Sequence, residues 1–234
     1  MKGLLRRFKY YGIGFTIGLI FVIFFFQNRG CAWLPANRVK NTLLDKVLVV
    51  PETEKGKLEA ANISNEQLIS FLDDGSILFS ESLKDQNKYP KVYIFEKEFE
   101  GQPRRVQFSI YEDSYIAPIH YLGSDQAPSR YEELTGMGDF IKLPRDSALV
   151  YIDKSNHVQC KSRPIIDKDK AALTQFLKES GQINFSKSNL MLPKAEHYIS
   201  FMQNDTSLVQ AKTIWFESRI TFKDFYWDYK LDCE

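Results

Sequence analysis

Histidine and cysteine, which often carry metal-binding and nucleophilic chemistry, are scarce in this chain, with three of each among 234 residues. No Gly-x-Ser-x-Gly elbow, phosphate-binding glycine loop or His-Glu-x-x-His motif occurs in the sequence. His157 is followed three residues later by Cys160, but a catalytic zinc site needs three protein ligands and a structural one needs four. The sequence therefore indicates no catalytic, metal or cofactor site, and we expect a protein that is not an enzyme.

A strong positive charge is also lacking, because 31 basic residues face 30 acidic ones. Four of the basic residues lie before residue 10, so the rest of the chain is slightly acidic. Nucleic-acid-binding proteins usually carry a basic surface, since neutralising phosphates supplies much of their affinity. Nucleic acid is therefore not an expected partner, and no small-molecule substrate is evident.

The longest apolar run, residues 10–26, contains no charge and follows the basic segment. As a helix it would extend roughly 26 Å, close to the thickness of a bilayer core. The flanking charges predict a single-pass transmembrane anchor in the cytoplasmic (inner) membrane, with a cytoplasmic N-terminus and the bulk of the chain in the periplasm. A cleaved signal peptide and a lipoprotein signal ending at Cys31 are the alternatives, but the bulky and polar residues 24–29 fit neither cleavage site.

Gly14 and Gly18 are four residues apart, and we predict that they share a helix face against which another helix packs closely. The expected partner of this face is another membrane-protein subunit or a second copy of this chain.

Farther along, Cys160 and Cys233 form a disulfide in one hypothesis and stay free in the alternative.

Two stretches of the chain, residues 71–82 and 176–188, resemble each other when one residue is inserted before the second glycine. In the first, Ser64 and Gln67 have the spacing of a capping box, and Gly75 ends the helix with a residue suited to positive φ. In the second, we predict a helix over residues 168–179 that ends at Gly181. Each helix leads directly into a short apolar strand.

Alternating apolar residues after each corner predict antiparallel hairpins. The first hairpin turns at residues 112–114, and the second turns at Lys223-Asp224, with Phe216 among its inward residues. Four phenylalanines should pin the helices to the strands and be deeply buried, namely Phe71, Phe79, Phe176 and Phe185.

The predicted fold class is therefore α+β, with an N-terminal transmembrane helix followed by two small helix-plus-meander modules that arose by duplication. The predicted boundaries are residues 1–30 for the basic stub and anchor, 31–123 for the first exported module, 124–130 for a linker and 131–234 for the second exported module. Residues 124–130 have the most linker-like composition of the chain.

Aromatic residues concentrate near the C-terminus, and most of them fit the inward face of a strand. Tyr226 is out of phase with that face, which predicts an exposed patch suited to a protein partner or a glycan. His120, in contrast, falls on the side of its strand that the pattern assigns to polar residues.

Residues 1–122 resemble membrane-anchored members of a bacterial family, the domain of unknown function 4258. The likeness rests on Ile63-Ser64 at a helix start, on Leu72-x-x-Gly75-x-Ile77 at the helix exit, and on residues 31–39. Some members of this family of unknown function are similar to small toxin nucleases. Those members have a histidine and an arginine on the first helix, whereas residues 38–44 here offer only Arg38.

From these observations we expect a membrane-anchored, non-catalytic accessory or scaffolding subunit of an envelope complex. Two alternatives remain open at this point. The first is a nuclease-like hydrolase, against which the missing histidine counts. The second is a protein that binds cell-wall material or glycans.

Overall fold

The structure, a computed structural model, describes residues 2–27, 34–85, 87–123, 126–130, 134–145, 149–152, 170–203, 207–216 and 219–227. The chain forms two compact units, residues 1–41 and 42–234. The first unit consists chiefly of helix α1 (Lys2–Gln27), and helix α2 (Pro35–Leu44) leads from it into the second.

The predicted membrane anchor is not supported by helix α1. This helix includes all four basic residues of the N-terminal segment, so its uncharged stretch is limited to residues 10–27, which is shorter than the ~20 residues usually needed. Across the described residues, no helix combines the length and the apolar character that crossing a membrane requires. The predictions of a transmembrane helix, an inner-membrane location and a periplasmic bulk are corrected accordingly.

The second unit is built on one mixed sheet, with helices α3 (Glu52–Ala60), α4 (Asn65–Asp74) and α5 (Lys170–Ser180). Eleven strands are found within the described residues: β1 (Val47–Pro51), β2 (Ser76–Ile77), β3 (Lys91–Phe99), β4 (Gln102–Ile110), β5 (Ile116–Tyr121), β6 (Met137–Lys142), β7 (Leu149–Tyr151), β8 (Gln182–Asn184), β9 (Glu196–Gln203), β10 (Ser207–Phe216) and β11 (Arg219–Trp227). Their order across the sheet is β2-β3-β4-β5-β1-β6-β8-β9-β10-β11-β7.

Strand β1 makes the sheet continuous, because it pairs in parallel with β5 and antiparallel with β6. All five of its residues are buried, as expected for a strand with neighbours on both edges and layers on both faces. The predicted fold of an anchor followed by two separate modules is therefore wrong: residues 42–234 form one unit with one sheet. The boundaries proposed at residues 123 and 131 stay a prediction.

Within this sheet, one arrangement of strands occurs twice. Helix α4 leads into β2 and the meander β3-β4-β5, and helix α5 leads into β8 and the meander β9-β10-β11. In each set a strand from before the helix pairs in parallel with the last strand of the meander: β1 with β5, and β7 with β11.

The two helix-to-strand corners share their backbone geometry. The N–H groups of Gly75 and Gly181 donate to the carbonyls of Phe71 and Leu177, each 3.1 Å away. Gly75 has φ −63°, so positive φ is not the reason for this residue as predicted. A Cβ at either glycine would overlap the carbonyl oxygen four residues earlier, and this close approach is what requires glycine.

The capping box predicted at α4 is confirmed: Ser64 Oγ accepts the Gln67 N–H (3.3 Å), and Gln67 Oε1 accepts the Ser64 N–H (2.8 Å). Burial of the corner phenylalanines follows the prediction only in part. Phe71 and Phe185 are buried, whereas Phe79 and Phe176 are half-buried. Each of the latter pair packs against one aromatic neighbour, Tyr93 and Phe201 respectively.

The second predicted hairpin turn is displaced. Strand β10 ends at Phe216 and β11 begins at Arg219, so the chain reverses between these residues, and Lys223-Asp224 lies inside β11. Phe216, predicted to face inward, is 51% exposed beside this reversal. A register shift between Lys212 and Thr213 accompanies the pairing of the two strands.

Candidate functional site

The residues singled out by the sequence do not converge on one place. Gly14 and Gly18 lie on α1, and apart from the helix's own neighbouring backbone no described atom is within 4 Å of where a Cβ would stand. Their helix-packing role stays a prediction. Cys160, Cys233 and His157 lie outside the described residues, and so does the disulfide hypothesis. Tyr226 is on β11 and is 48% exposed.

A buried polar cluster lies where the β4–β5 turn meets β9 and β10. Ser114 Oγ and His197 Nε2 share a hydrogen bond of 2.8 Å, and the Ile116 N–H donates to the same oxygen at 3.0 Å. Both side chains are fully buried. Tyr115 packs on the imidazole with ring centroids 4.1 Å apart, and its hydroxyl is hydrogen-bonded to Thr213 Oγ1.

Lys46 adds a buried amine to this cluster. Its Nζ donates to the carbonyls of Ser114 and Tyr111 and lies 4.1 Å from the ring centroid of Trp215. Burial lowers the pKa of Lys46 to about 7, although the charge of Asp113 opposes the shift. Burial also lowers the pKa of His197 to about 3, and the nearby Lys46 contributes to that shift. The imidazole is therefore neutral at pH 7.

A neutral imidazole bonded to a serine hydroxyl is the arrangement that activates serine nucleophiles. Here, however, the hydroxyl already accepts a backbone N–H, and Tyr115 covers the imidazole ring. Neither Ser114 nor His197 is exposed to solvent, so a substrate carbonyl has no approach to the oxygen. We interpret the pair as a tie between the β4–β5 turn and strand β9.

A second buried pair joins α3 to the end of β5. Glu54 Oε2 accepts the Tyr121 N–H at 3.0 Å, and Oε1 accepts from Lys57 at 2.9 Å and lies 3.6 Å from His120 Nδ1. Burial alone would raise the pKa of Glu54, but the hydrogen bonds from His120, Lys57 and the Tyr121 N–H outweigh it and lower this pKa to about 2. His120, predicted on a polar face, is 2% exposed.

One face of strands β9, β10 and β11 carries a group of polar and aromatic side chains that are partly or fully exposed. Register places Tyr198, Lys212 and Asp224 in one row across the strands, and Ser200, Gln210 and Tyr226 in the next. Lys212 Nζ is 2.8 Å from Glu196 Oε1 and 5.8 Å from the centroid of the Tyr198 ring. The hydrogen bond with Glu196 raises the pKa of Lys212, which stays charged. We call this surface, defined by Tyr198, Gln210, Lys212, Asp224 and Tyr226, the tyrosine face.

The equivalent face of the other meander is buried. Ile94 donates its N–H to Ser82 Oγ (3.1 Å), as Tyr198 does to Ser188 Oγ (2.9 Å), so the two residues occupy matching positions. In register with Ile94 lie Gln107 and His120, which match Lys212 and Asp224.

Other segments of the chain cover Ile94 and Gln107 and account for their burial. Gln107 exchanges two hydrogen bonds with the backbone of Ser129 (2.7 and 3.1 Å), and Ile94 packs in a cluster with Leu122, Leu78 and Leu83. Ile94 and Gln107 have no exposed area and His120 has 2%, whereas Tyr198, Lys212 and Asp224 are all partly exposed.

Sequence reasoning identified Tyr226 but missed the rest of the tyrosine face and the buried Lys46–Ser114–His197 cluster. Period-two alternation through β9 and β10 could have placed Tyr198 and Lys212 on the same side as Tyr226. No such signal exists for the cluster, because Lys46 and His197 come from distant parts of the chain.

No known protein family, curated protein or solved structure matches this chain. The likeness of residues 1–122 to the domain of unknown function 4258 stays a hypothesis.

Proposed function

We propose that this protein is a non-catalytic accessory subunit that holds a protein partner on its tyrosine face. The observation that carries the proposal is the contrast between the two meanders. Ile94, Gln107 and His120 are covered by the chain's own segments, whereas the matching residues Tyr198, Lys212 and Asp224 are partly exposed. A partner segment lying across β9–β11 would occupy the position that residue 129 takes on the other meander.

The chemistry of the tyrosine face supports a protein as the occupant. Tyrosine is enriched at protein interfaces because it offers a large rigid contact area together with one hydroxyl. Tyr198 and Tyr226 flank the Lys212–Glu196 ion pair, and Gln210 adds an amide in the same row as Tyr226. Such a surface buries apolar area and still satisfies the polar groups of a partner backbone.

The test begins with a photo-crosslinking amino acid placed at position 226 in the full chain, in the cells that make it. A matched probe at position 84, in the segment that leads into the other meander, serves as the control, since Lys84 is also exposed. We expect one protein adduct that depends on the probe at 226 and is absent with the probe at 84. Adducts that are identical for both positions, or adducts to glycan alone, would contradict the proposal.

The partner identified in this way is then purified and titrated against the wild type and three variants. Tyr226→Ala and Tyr198→Ala should each weaken binding about tenfold or more, as expected for interface tyrosines. Phe79→Ala, at a half-buried aromatic residue between β2 and β3, should leave the affinity unchanged. Equal affinities for all three variants would rule out the tyrosine face as the docking site.

A further inference from the structure

A large groove lies between helix α5 and the end of strand β6, on the side of the sheet away from the tyrosine face. Its volume is about 890 Å³, within the range of small-molecule sites. The floor is apolar and contains Phe140, Leu143 and Leu177, which are at most 9% exposed. A narrow crevice beneath the groove shares these residues and adjoins Val47 and Phe222.

Three lysines line the groove, and its described lining residues include no acid. Lys170, Thr174 and Lys178 are four residues apart on α5 and therefore form one stripe along the helix.

The third lysine, Lys142, lies on the opposite wall of the groove, at the end of β6. Lys142 Nζ donates to the carbonyls of Leu44 (2.9 Å) and Leu143 (3.0 Å), so its position is fixed. Burial lowers the pKa of Lys142, and the positive charge of Arg145 lowers it further. The charge of Asp45 opposes this shift, and Asp45 is itself bonded to Arg145 at 3.2 Å. Among the described lining residues, an anion entering the groove would therefore meet three lysines and no acid.

We propose that this groove binds a small organic oxyanion, with its acidic group between Lys170, Lys178 and Lys142 and its apolar part on Phe140, Leu143 and Leu177. The basic rim selects for charge, and the buried floor selects for a hydrocarbon portion. A carboxylate and a phosphate monoester share the chemistry that this arrangement recognises. The inference does not depend on the proposed partner, because the tyrosine face lies on the other side of the sheet.

Calorimetric titration of the full chain with octanoate, octyl phosphate, acetate and octanol tests the proposal. We expect octanoate or octyl phosphate to bind, and the tighter of the two identifies the acidic group. Acetate should bind at least about tenfold more weakly because it cannot cover the floor, and octanol should bind weakly because it has no charge. Binding of octanol as tight as that of octanoate, or no binding of either anion, would overturn the proposal.

Two double variants with the same change in net charge complete the test. Lys170→Gln with Lys178→Gln should raise the Kd of the bound anion about tenfold, whereas Lys88→Gln with Lys187→Gln, exposed elsewhere, should leave it unchanged. Circular dichroism and thermal unfolding establish that both variants are folded. Equal weakening in the two pairs would show an effect of general charge and contradict a site in the groove.

Discussion

Ser114 Oγ lies 2.8 Å from His197 Nε2, although 83 positions separate these residues in the chain. The contact joins the turn that follows β4 to strand β9. Strands β4 and β9 lie far apart in the sheet order. Lys46 secures the same turn from β1's side by donating to the carbonyls of Ser114 and Tyr111. The β4–β5 turn is thus held by polar groups within an apolar core. The stability of the protein should therefore respond to mutation of these groups and to pH.

Replacing His197 by Ala should lower the free energy of unfolding by about 2–4 kcal/mol. The loss combines the cavity left by a buried ring with the hydrogen bond to Ser114. Urea denaturation followed by circular dichroism measures the change, with Lys187→Ala on the surface as the control. A variant as stable as the wild type would refute the role of the pair as a structural tie.

Lys46→Met should alter how stability depends on pH. Burial holds the pKa of Lys46 at about 7, below its ordinary value of 10.5, so the unfolded chain binds more protons between these two values. The contribution of Lys46 to stability therefore rises from pH 7 to 10.5, by at most about 1.4 kcal/mol per pH unit, and is lost as the pH falls through 7.

Urea denaturation of the wild type and Lys46→Met at pH 7, 8 and 9 measures this effect. Stability should rise more steeply with pH in the wild type than in the variant, which has no amine to titrate. Parallel curves would show that Lys46 keeps an ordinary pKa in the folded protein.

Glu54→Gln should destabilise the protein at neutral pH by about 1–3 kcal/mol, because the amide cannot accept from Lys57, His120 and the Tyr121 N–H as a carboxylate does. The folded pKa of about 2 lies below the ordinary 4.5, so the stability that the carboxylate adds is present above pH 4.5 and is lost as the pH falls through 2. Denaturation curves at pH 6, 4 and 2.5 should therefore converge for the two proteins. If the two proteins differed in free energy of unfolding by the same amount at all three pH values, the role of the Glu54 carboxylate would be contradicted.

Glycine substitutions test the helix-to-strand corners. Gly75→Ala and Gly181→Ala should each cost about 1–3 kcal/mol, since the new methyl group would overlap a carbonyl oxygen of the preceding turn. Gly56→Ala in helix α3, where a Cβ meets nothing within 4 Å, should instead stabilise the protein by roughly 0.5–1 kcal/mol. Thermal and urea unfolding of the three variants give the comparison, and a stabilising effect at either corner would contradict the steric argument.

Local features were accessible from the sequence, because their causes are local. The spacing of Ser64 and Gln67 predicted the capping box, and Gly181 marked the end of α5 within one residue. Period-two alternation found β4 and β5 but misplaced the second hairpin turn, because Lys223-Asp224 has the composition of a turn while lying within the paired strand β11. The register shift beside Lys212 breaks the simple alternation there.

Contacts between segments that are distant in the sequence could not be predicted from the pattern of residues. The sequence predicted two modules because it shows similar corners, but the pairing of β1 with β6 depends on contacts between distant segments. Gln107 and His120 alternate as exposed residues would, but Gln107 is bonded to the backbone of Ser129 and His120 lies beside Glu54 of α3, and both are buried. The Lys46–Ser114–His197 cluster and the groove between α5 and β6 could not be predicted for the same reason, because each is formed by distant segments.

The central position of β1 has a consequence for how the protein is made. Its five residues, all buried in the finished sheet, are synthesised before either neighbouring strand exists. Lys142, which ends β6, bonds to the carbonyl of Leu44 across 98 positions of the chain. At ~5–20 residues per second, the ribosome needs roughly 5–20 s to supply that partner. For that interval an apolar strand edge is open on the nascent chain, and it is the segment that a chaperone would have most reason to hold.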